Sequence, residues 1–448
     1  MRDRLGAGLG ANYWKLWTSS AFSNLADGVL FIALPLLAVR LTDSPILIAG
    51  LAIAARLPWL LFVLVAGALA DRLDRRRTMI AVQLLRAGIG ALLAASVWFG
   101  FENLILLYAV ALILGVGETL FDTAAQSVMP SLVRREQLPT ANGRLYGVEI
   151  ITNQFVGPPL GGVLVALAMV SAFGLSTIGW LVAALLLFLI VGSFKPVREG
   201  PPTRIRSDIA EGLRFLLGHE LLRTLALMVG VMNLASSAAF SIFVLFAIAP
   251  GPMNLSEPEF GILLTTGAVG SISGSIYAGR LVKRFGRARL LVAVILASAI
   301  STAIPALTPN PFVVGASFVI GGSAGVVWNV ITVSFRQGII PDRLLGRVNS
   351  VYRLLAWGTM PVGALLGGVL GEFFGLPVVF AVGGLLILLL LLARNVLSDA
   401  NLDAAEKGAE AEAAAKPDAT TAAEEDDTRE PTDTAPTPGA AVVAPPPD

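Results

Sequence analysis

The sequence predicts an all-α polytopic membrane protein, with twelve transmembrane helices in two pseudo-symmetric bundles of six. Three observations predict it. Apolar stretches of membrane-spanning length recur along most of the chain, lysines and arginines concentrate in alternate loops, and the punctuation of the first half returns in the second.

Composition sets the class. Of 448 residues 55% are hydrophobic and 14% charged, and the mean hydropathy is +0.77. Soluble domains carry roughly 25% charged residues, so lipid is the expected solvent. The net charge of +1 averages a basic membrane region with an acidic tail. No basic stripe marks a nucleic-acid partner, and none is expected. The absence of cysteine excludes a disulfide framework, a thiolate metal site and cysteine catalysis. Arg2, Arg4 and Lys15 precede an apolar run too long for a signal-peptide core, so the first helix reads as a retained signal anchor.

A membrane helix needs about 20 mostly apolar residues. That length fits helices 1 to 6 at 16–40, 45–69, 78–98, 104–129, 145–168 and 172–194. Helices 7 to 12 follow at 223–248, 258–282, 288–307, 311–335, 348–371 and 375–394. The domain expectation is an N-terminal bundle over 1–196, a linker over 197–222, a C-terminal bundle over 223–396 and a tail over 397–448. Cytoplasmic loops hold the excess of Lys and Arg. Arg72, Arg75, Arg76 and Arg77, then Arg134 and Arg135, Lys195 to Arg214, Lys283 to Arg289, and Arg336, Arg343 and Arg347 fall in loops on one side, against Arg40 alone on the other. Both termini are therefore expected in the cytoplasm, with the chain multi-pass in the cell membrane.

Internal matches support duplication, a common plan among secondary transporters. Asn24-Leu25-Ala26-Asp27 matches Asn233-Leu234-Ala235-Ser236. The run from Gly67 through Asp71 and Arg72 to Arg77 matches Gly279 through Lys283 and Arg284 to Arg289. Gly115 with Phe121-Asp122 matches Gly322 with Trp328-Asn329, and Gly157-Pro158-x2-Gly161-Gly162 matches Gly363-Ala364-x2-Gly367-Gly368. Between the halves, Ile209, Leu213, Leu216 and Leu217 have the spacing of an interfacial helix. The Ala, Thr, Pro, Asp and Glu tail lacks the apolar content to fold and is expected to be disordered.

The run Gly67-Ala-Leu-Ala-Asp71-Arg72-Leu-Asp74-Arg75-Arg76-Arg77 resembles the signature between helices 2 and 3 of the major facilitator superfamily, with Asp74 where that pattern has glycine. The resemblance covers Trp14 to Arg394. Ser23-Asn24-Leu25-Ala26-Asp27-Gly28, Ala55-Arg56-Leu57-Pro58-Trp59 and Gly157-Pro158-Pro159-Leu160-Gly161-Gly162 are similar to its third drug:proton antiporter group. That likeness implies export driven by inward proton flow. It also implies that Gly67, Asp71, Arg72 and Arg76 form a latch against the start of helix 11, near Arg347 to Arg353, favouring the outward-open state. The second copy carries Lys283 in place of Asp71, a degenerate latch. The superfamily's helix 4 antiporter signature, with its buried arginine, is absent.

Ionisable groups inside apolar helices cost about 2.5–3.5 kcal/mol each at mid-membrane and need a reason to be there. They are Asp27, Arg56, Arg86, Glu118, Asp122 and Glu149, with Arg280 and Arg353 near an interface. Depth along the helices would pair Arg86 with Asp122, and Arg56 with Asp27 and Glu118. Architecture alone is one reading of such pairs. Proton coupling is the other, favoured because the second half has Ser236 and Asn329 where the first has Asp27 and Asp122. Burial and a nearby arginine act on a carboxyl proton in opposite senses, so access from alternate sides can load and release it. Asp27 leads as carrier.

Gly157, Pro158, Gly161 and Gly162 permit close helix approach and a bend, as ordinary packing or as a seal against leak. Asn24, Asn153, Gln154, Asn233, Trp328, Asn329 and Trp357 are the expected lining of a mostly apolar substrate cavity. The expected partners are a small amphiphilic, drug-like or siderophore-like substrate, protons and membrane lipid, with the chain acting as a monomer and without a cofactor. Alternatives are an uptake or facilitative transporter, or a non-transporting receptor or scaffold working through its tail. No Gly-x4-Gly-Lys-[Ser/Thr] loop supports an ATP-driven pump, and no Ser/His or metal-ligand set supports an enzyme.

Overall fold

In a computed structural model, the chain is described over residues 9–70, 73–192, 194 and 205–415. Its apolar runs fold as α1 (Gly10–Leu41), α2 (Pro45–Ala70), α3 (Arg75–Phe99), α4 (Leu104–Leu132), α5 (Arg135–Leu167) and α6 (Met169–Phe188). The second set is α7 (Glu220–Ala247), α8 (Glu257–Phe285), α9 (Arg287–Leu307), α10 (Pro311–Ile339), α11 (Asp342–Phe374) and α12 (Leu376–Ala393). All twelve are long and apolar enough to cross a bilayer. Local chemistry sets their ends. Asn103 accepts from Leu106 N at 3.0 Å to cap α4, and Asn310 accepts from Phe312 N at 3.0 Å to cap α10. Ser256 with Glu259 forms a capping box at α8.

A linker helix, Ile205–Gly218, packs on the start of α11, where Gly212 brings the two backbones together and Glu211 pairs with Arg347. The face carrying this helix is the linker side; the opposite face, with the turns at 42–44 and 248–256, is the far side. The buried apolar core is one body on the far side, combining Ile32, Leu36 and Trp180 with Phe243, Phe260 and Phe380. Toward the linker side it divides in two. One cluster, including Tyr13, Met79, Val128 and Phe194, stays in the first half, and another, including Leu222, Ile295, Phe335 and Val348, in the second.

The duplication seen in the sequence reappears as equivalent backbone crossings. Gly161 meets Val29 O on α1, and Gly367 meets Ala238 O on α7. Gly162 meets Glu257 at the start of α8, and Gly368 meets Pro45 and Ile46 at the start of α2, each across the two halves. Gly115 packs on Ala55 of α2 as Gly322 packs on Gly267 of α8. The close approach needs glycine, because a Cβ at these points would overlap a neighbouring main chain.

Two expectations are corrected. The tail does not leave the bundle at residue 397: a tail helix, Asp399–Ala415, docks on the linker side of the second half. Leu397 and Leu402 are buried there, and the apolar contact together with three acidic groups supplies what low overall hydrophobicity concealed. Residues 416–448 lie outside the described residues. Arg336, assigned to a loop, instead lies in the last turn of α10. It is buried beneath Tyr352, with its guanidinium 3.7 Å from the ring centroid, a contact that offsets part of the cost of burying the charge.

Candidate functional site

The first half gathers charge around Arg86. This residue is 2% exposed, near the middle of α3, and its guanidinium pairs with the carboxylate of Asp27 on α1. It also donates to Ser23 Oγ at 3.2 Å, one turn before Asp27, and lies 4.6 Å from the Trp180 ring centroid of α6. Gln83, one turn earlier on α3, donates to the same Ser23 Oγ at 2.8 Å. Gly117 on α4 makes room, because a Cβ there would stand 3.0 Å from Arg86 Cγ.

Three further carboxylates complete the cluster. Glu118 and Asp122 on α4 and Glu149 on α5 lie within electrostatic reach of one another, and Asp122 is within reach of Asp27 and Arg86. The depth pairing is therefore corrected: Arg86 joins Asp27, and Arg56 stands exposed on α2 without a hydrogen bond or ion pair among the described residues. Depth ranks residues along an axis but leaves their azimuth open, and azimuth decides which helix each side chain meets.

Helix α5 is shaped by its proline. Pro158 cannot donate to the helical ladder, and the turn before it, Ile150–Val156, is a π-helix between α segments Leu138–Glu149 and Gly157–Leu167. There α1 and α5 cross backbone to backbone. A Cβ on Gly28 would be 2.5 Å from Asn153 O, and one on Gly157 would be 2.6 Å from Gly28 Cα. The crossing adjoins Asp27 and follows Glu149, so the glycine-proline stretch sets the position of two of the four carboxylates.

The proposed lining residues are scattered. Trp357, 42% exposed, meets Trp59 edge-on across the two halves at 6.0 Å between centroids and lies under Arg353. Gln154 and Asn329 are exposed and Asn153 is half-buried. Asn24 turns back to Ser20 O at 2.9 Å, and Asn233 donates to Ala356 O of α11 at 2.7 Å. Trp328 is corrected as a lining residue: it is 3% exposed, packed into the second-half core beside Ile331 and Phe335. Of the latch, Asp71 and Arg72 lie outside the described residues, Gly67 falls within α2, and Arg76 donates to Leu187 O at 3.1 Å and Phe188 O at 2.5 Å of its own half. Ser23, Gln83 and Trp180 were not singled out. The first two have a signal, a polar group one helical turn from Asp27 or Arg86.

On the far side the halves are joined. Glu372 at the end of α11 accepts from Ser44 Oγ at 2.6 Å and Ile46 N at 3.4 Å, so it caps α2 of the other half. Arg40 pairs with Glu257 at 3.3 Å, and Phe31 stacks on Phe240.

Twelve spans in two halves, with charge gathered in one of them and a closed seam on one side, define a membrane transporter of the major facilitator superfamily. The family described as "Transmembrane secretion effector" matches residues 10–429, and the chain belongs to it. It is 28% identical to the multidrug efflux pump Tap of Mycolicibacterium fortuitum, over 81% of this chain and 90% of that protein. It is 26% identical to the enterobactin exporter EntS of Shigella boydii, over 77% and 81%. It is 25% identical to macrolide efflux protein A of Streptococcus pyogenes, over 87% and 97%. Among solved structures, a bacterial homologue of the iron transporter ferroportin in an inward-facing state superposes with a TM-score of 0.68 at 17% identity, covering 87% of this chain and 98% of that one. A bacterial homologue of the lysosomal transporter Spinster, inward-facing and unoccupied, gives 0.61 at 15%, covering 89% and 97%. These likenesses are to transporters, not to enzymes.

Proposed function

We propose that the protein exports a small amphiphilic compound, drug-like or siderophore-like, in exchange for protons by alternating access, with its linker side in the cytoplasm. The observation that carries this reading is the ion pair of Asp27 and Arg86 with Glu118, Asp122 and Glu149 in reach, a titratable cluster within apolar helices. Structural pairing accounts for one carboxylate per cation. Here four neighbouring carboxylates stand with one buried guanidinium, which reaches Asp27 and Asp122, and the excess is the part available to carry protons. The arginines of the linker side support its cytoplasmic placement. The undivided far-side core, split toward the linker side, supports an inward-facing state in that orientation. The test is flux in proteoliposomes, with a panel of amphiphilic compounds and an imposed pH gradient. Solute movement coupled to opposite proton movement supports the reading; solute flux indifferent to the gradient in every compound moved replaces it with facilitated diffusion.

Alternating access requires the far-side seam to open. A Cβ on Gly368 would stand 2.7 Å from Ala49 Cβ and 3.0 Å from Ile46 Cα of the other half. Gly368→Ala is therefore expected to weaken the far-side closed state and lengthen distances between spin labels placed across the seam. An unchanged distribution would show that the seam is not a moving surface.

A further inference from the structure

The second copy of the loop motif lacks a side chain that the first copy uses. In the first, Asp74 accepts from Arg77 N at 3.0 Å and from Phe194 N at 3.3 Å, capping α3. The repeat places Gly286 at the matching point, with φ +81°, a backbone that favours glycine and leaves no local side chain to cap α9. The missing carboxylate arrives from the other end of the chain. Asp399 Oδ1 accepts from Ala288 N at 2.9 Å, and a Cβ on Gly286 would lie 3.2 Å from Asp399 Oδ2. One and two turns further along the tail helix, Asp403 and Glu406 each accept from the Arg287 guanidinium at 2.5 Å. Leu397 and Leu402, 0% and 1% exposed, seat the segment in the linker-side core of the second half.

The placement of Arg287 gives this contact a consequence for transport. Across the two halves α2 packs along α11 and α8 packs along α5, so the second motif, which follows α8, lies on the same side of the protein as the start of α5, where Glu136 is an exposed carboxylate. We propose that residues 398–409 are a strap that completes the second motif in trans, with Asp399 capping α9 and Asp403 and Glu406 holding Arg287 within its own half and away from Glu136. Asp399, Asp403 and Glu406 are thus positioning residues for closure of the linker side, and releasing the strap favours that closure. The effect is set by charge and geometry at the protein's edge and is read without any solute, so it can fail independently of the export reading.

The absence of cysteine makes the test direct. Labels introduced by Gly143→Cys, a position open to space near the start of α5, and Arg284→Cys, in the last turn of α8, report linker-side separation. The double variant Asp403→Asn with Glu406→Gln keeps the Asp399 cap and both leucines while removing the charges that hold Arg287. It is expected to raise the short-distance population about threefold, the scale of one partly exposed ion pair, with the melting temperature little changed. Adding Glu136→Gln should return the distribution to that of the parent. Leu402→Asp, which evicts the strap through its buried leucine, should give the same shift. A charge variant that leaves the distribution in place, moves it to longer distances, or is indifferent to Glu136→Gln overturns the proposal; a merely structural strap would lower thermal stability without moving these populations.

Discussion

Replacing Asp27 with asparagine is expected to abolish proton-driven export, by a factor of 100 or more on the scale of about 3 kcal/mol, while the protein stays folded and membrane-inserted. The amide retains the shape and an acceptor oxygen for Arg86, but it cannot cycle a proton. Arg86 would keep Ser23 Oγ and the Trp180 ring and lose only the carboxylate. Outright loss of a buried partner costs about 3–5 kcal/mol, so Asp27→Ala should be the less stable variant and Asp27→Asn the informative one. Reconstituted Asp27→Asn should still exchange labelled for unlabelled solute down a concentration gradient. Undiminished export under a pH gradient would remove Asp27 from the coupling path.

Gly28→Ala and Gly157→Ala are expected to be strongly destabilising for substitutions that add a single methyl group. A methyl group at either point meets backbone rather than a flexible side chain: Asn153 O and Cα at 2.5 and 2.9 Å in one case, and Gly28 Cα and Thr152 O at 2.6 and 2.8 Å in the other. The helices must separate, which loosens the packing that positions Asp27 and Glu149 together. Overpacking a close contact costs about 1–3 kcal/mol, more where main chain must shift. Gly147→Ala on the same helix α5, where a Cβ meets nothing within 4 Å, is the control and should be neutral or slightly stabilising. Thermal melts in detergent that rank the three alike would show that the crossing tolerates separation.

Much of this architecture was legible in the sequence because lipid imposes length and polarity on every span. The repeat was legible too, since glycine at a helix crossing cannot be replaced cheaply and so leaves matching punctuation. The members of the charged cluster stood out for the same reason, as ionisable groups in apolar runs. Their pairing did not, because order along a helix gives depth and not direction: Asp27 and Arg86 meet, Arg56 turns elsewhere, and Trp328 points into the core. Arg336 was hidden by its position near a span end, where a positive residue is expected for topology alone. The tail helix was hidden by average composition. Its signal was local, two leucines among acids at 399, 403 and 406, spaced to share one helical face.

The two halves also differ in how firmly their central helices are bound. Along α7 the residues Asn233, Ser237 and Ser241 donate in turn to Ala356 O, Met360 O and Ala364 O of α11, while Thr359 returns a bond to Gly230 O. The matching stripe on α1 reads Asn24, Gly28 and Ile32, and there a bare glycine crossing and a π-helical turn stand in place of that ladder. Nearer the linker side Tyr13 and Trp17 still donate to Ala141 O and Arg144 O of α5, each at 3.1 Å, so duplication has left a stiff plank beside a joint that is compliant at its centre. Amide exchange should accordingly be slower at the centres of α7 and α11 than at those of α1 and α5, and equal rates would refute the contrast. If protons drive export as proposed, the stiff pair would serve as the frame of reference against which the charged pair shifts, and the work done by an entering proton would be concentrated in a single hinge instead of being shared between twins.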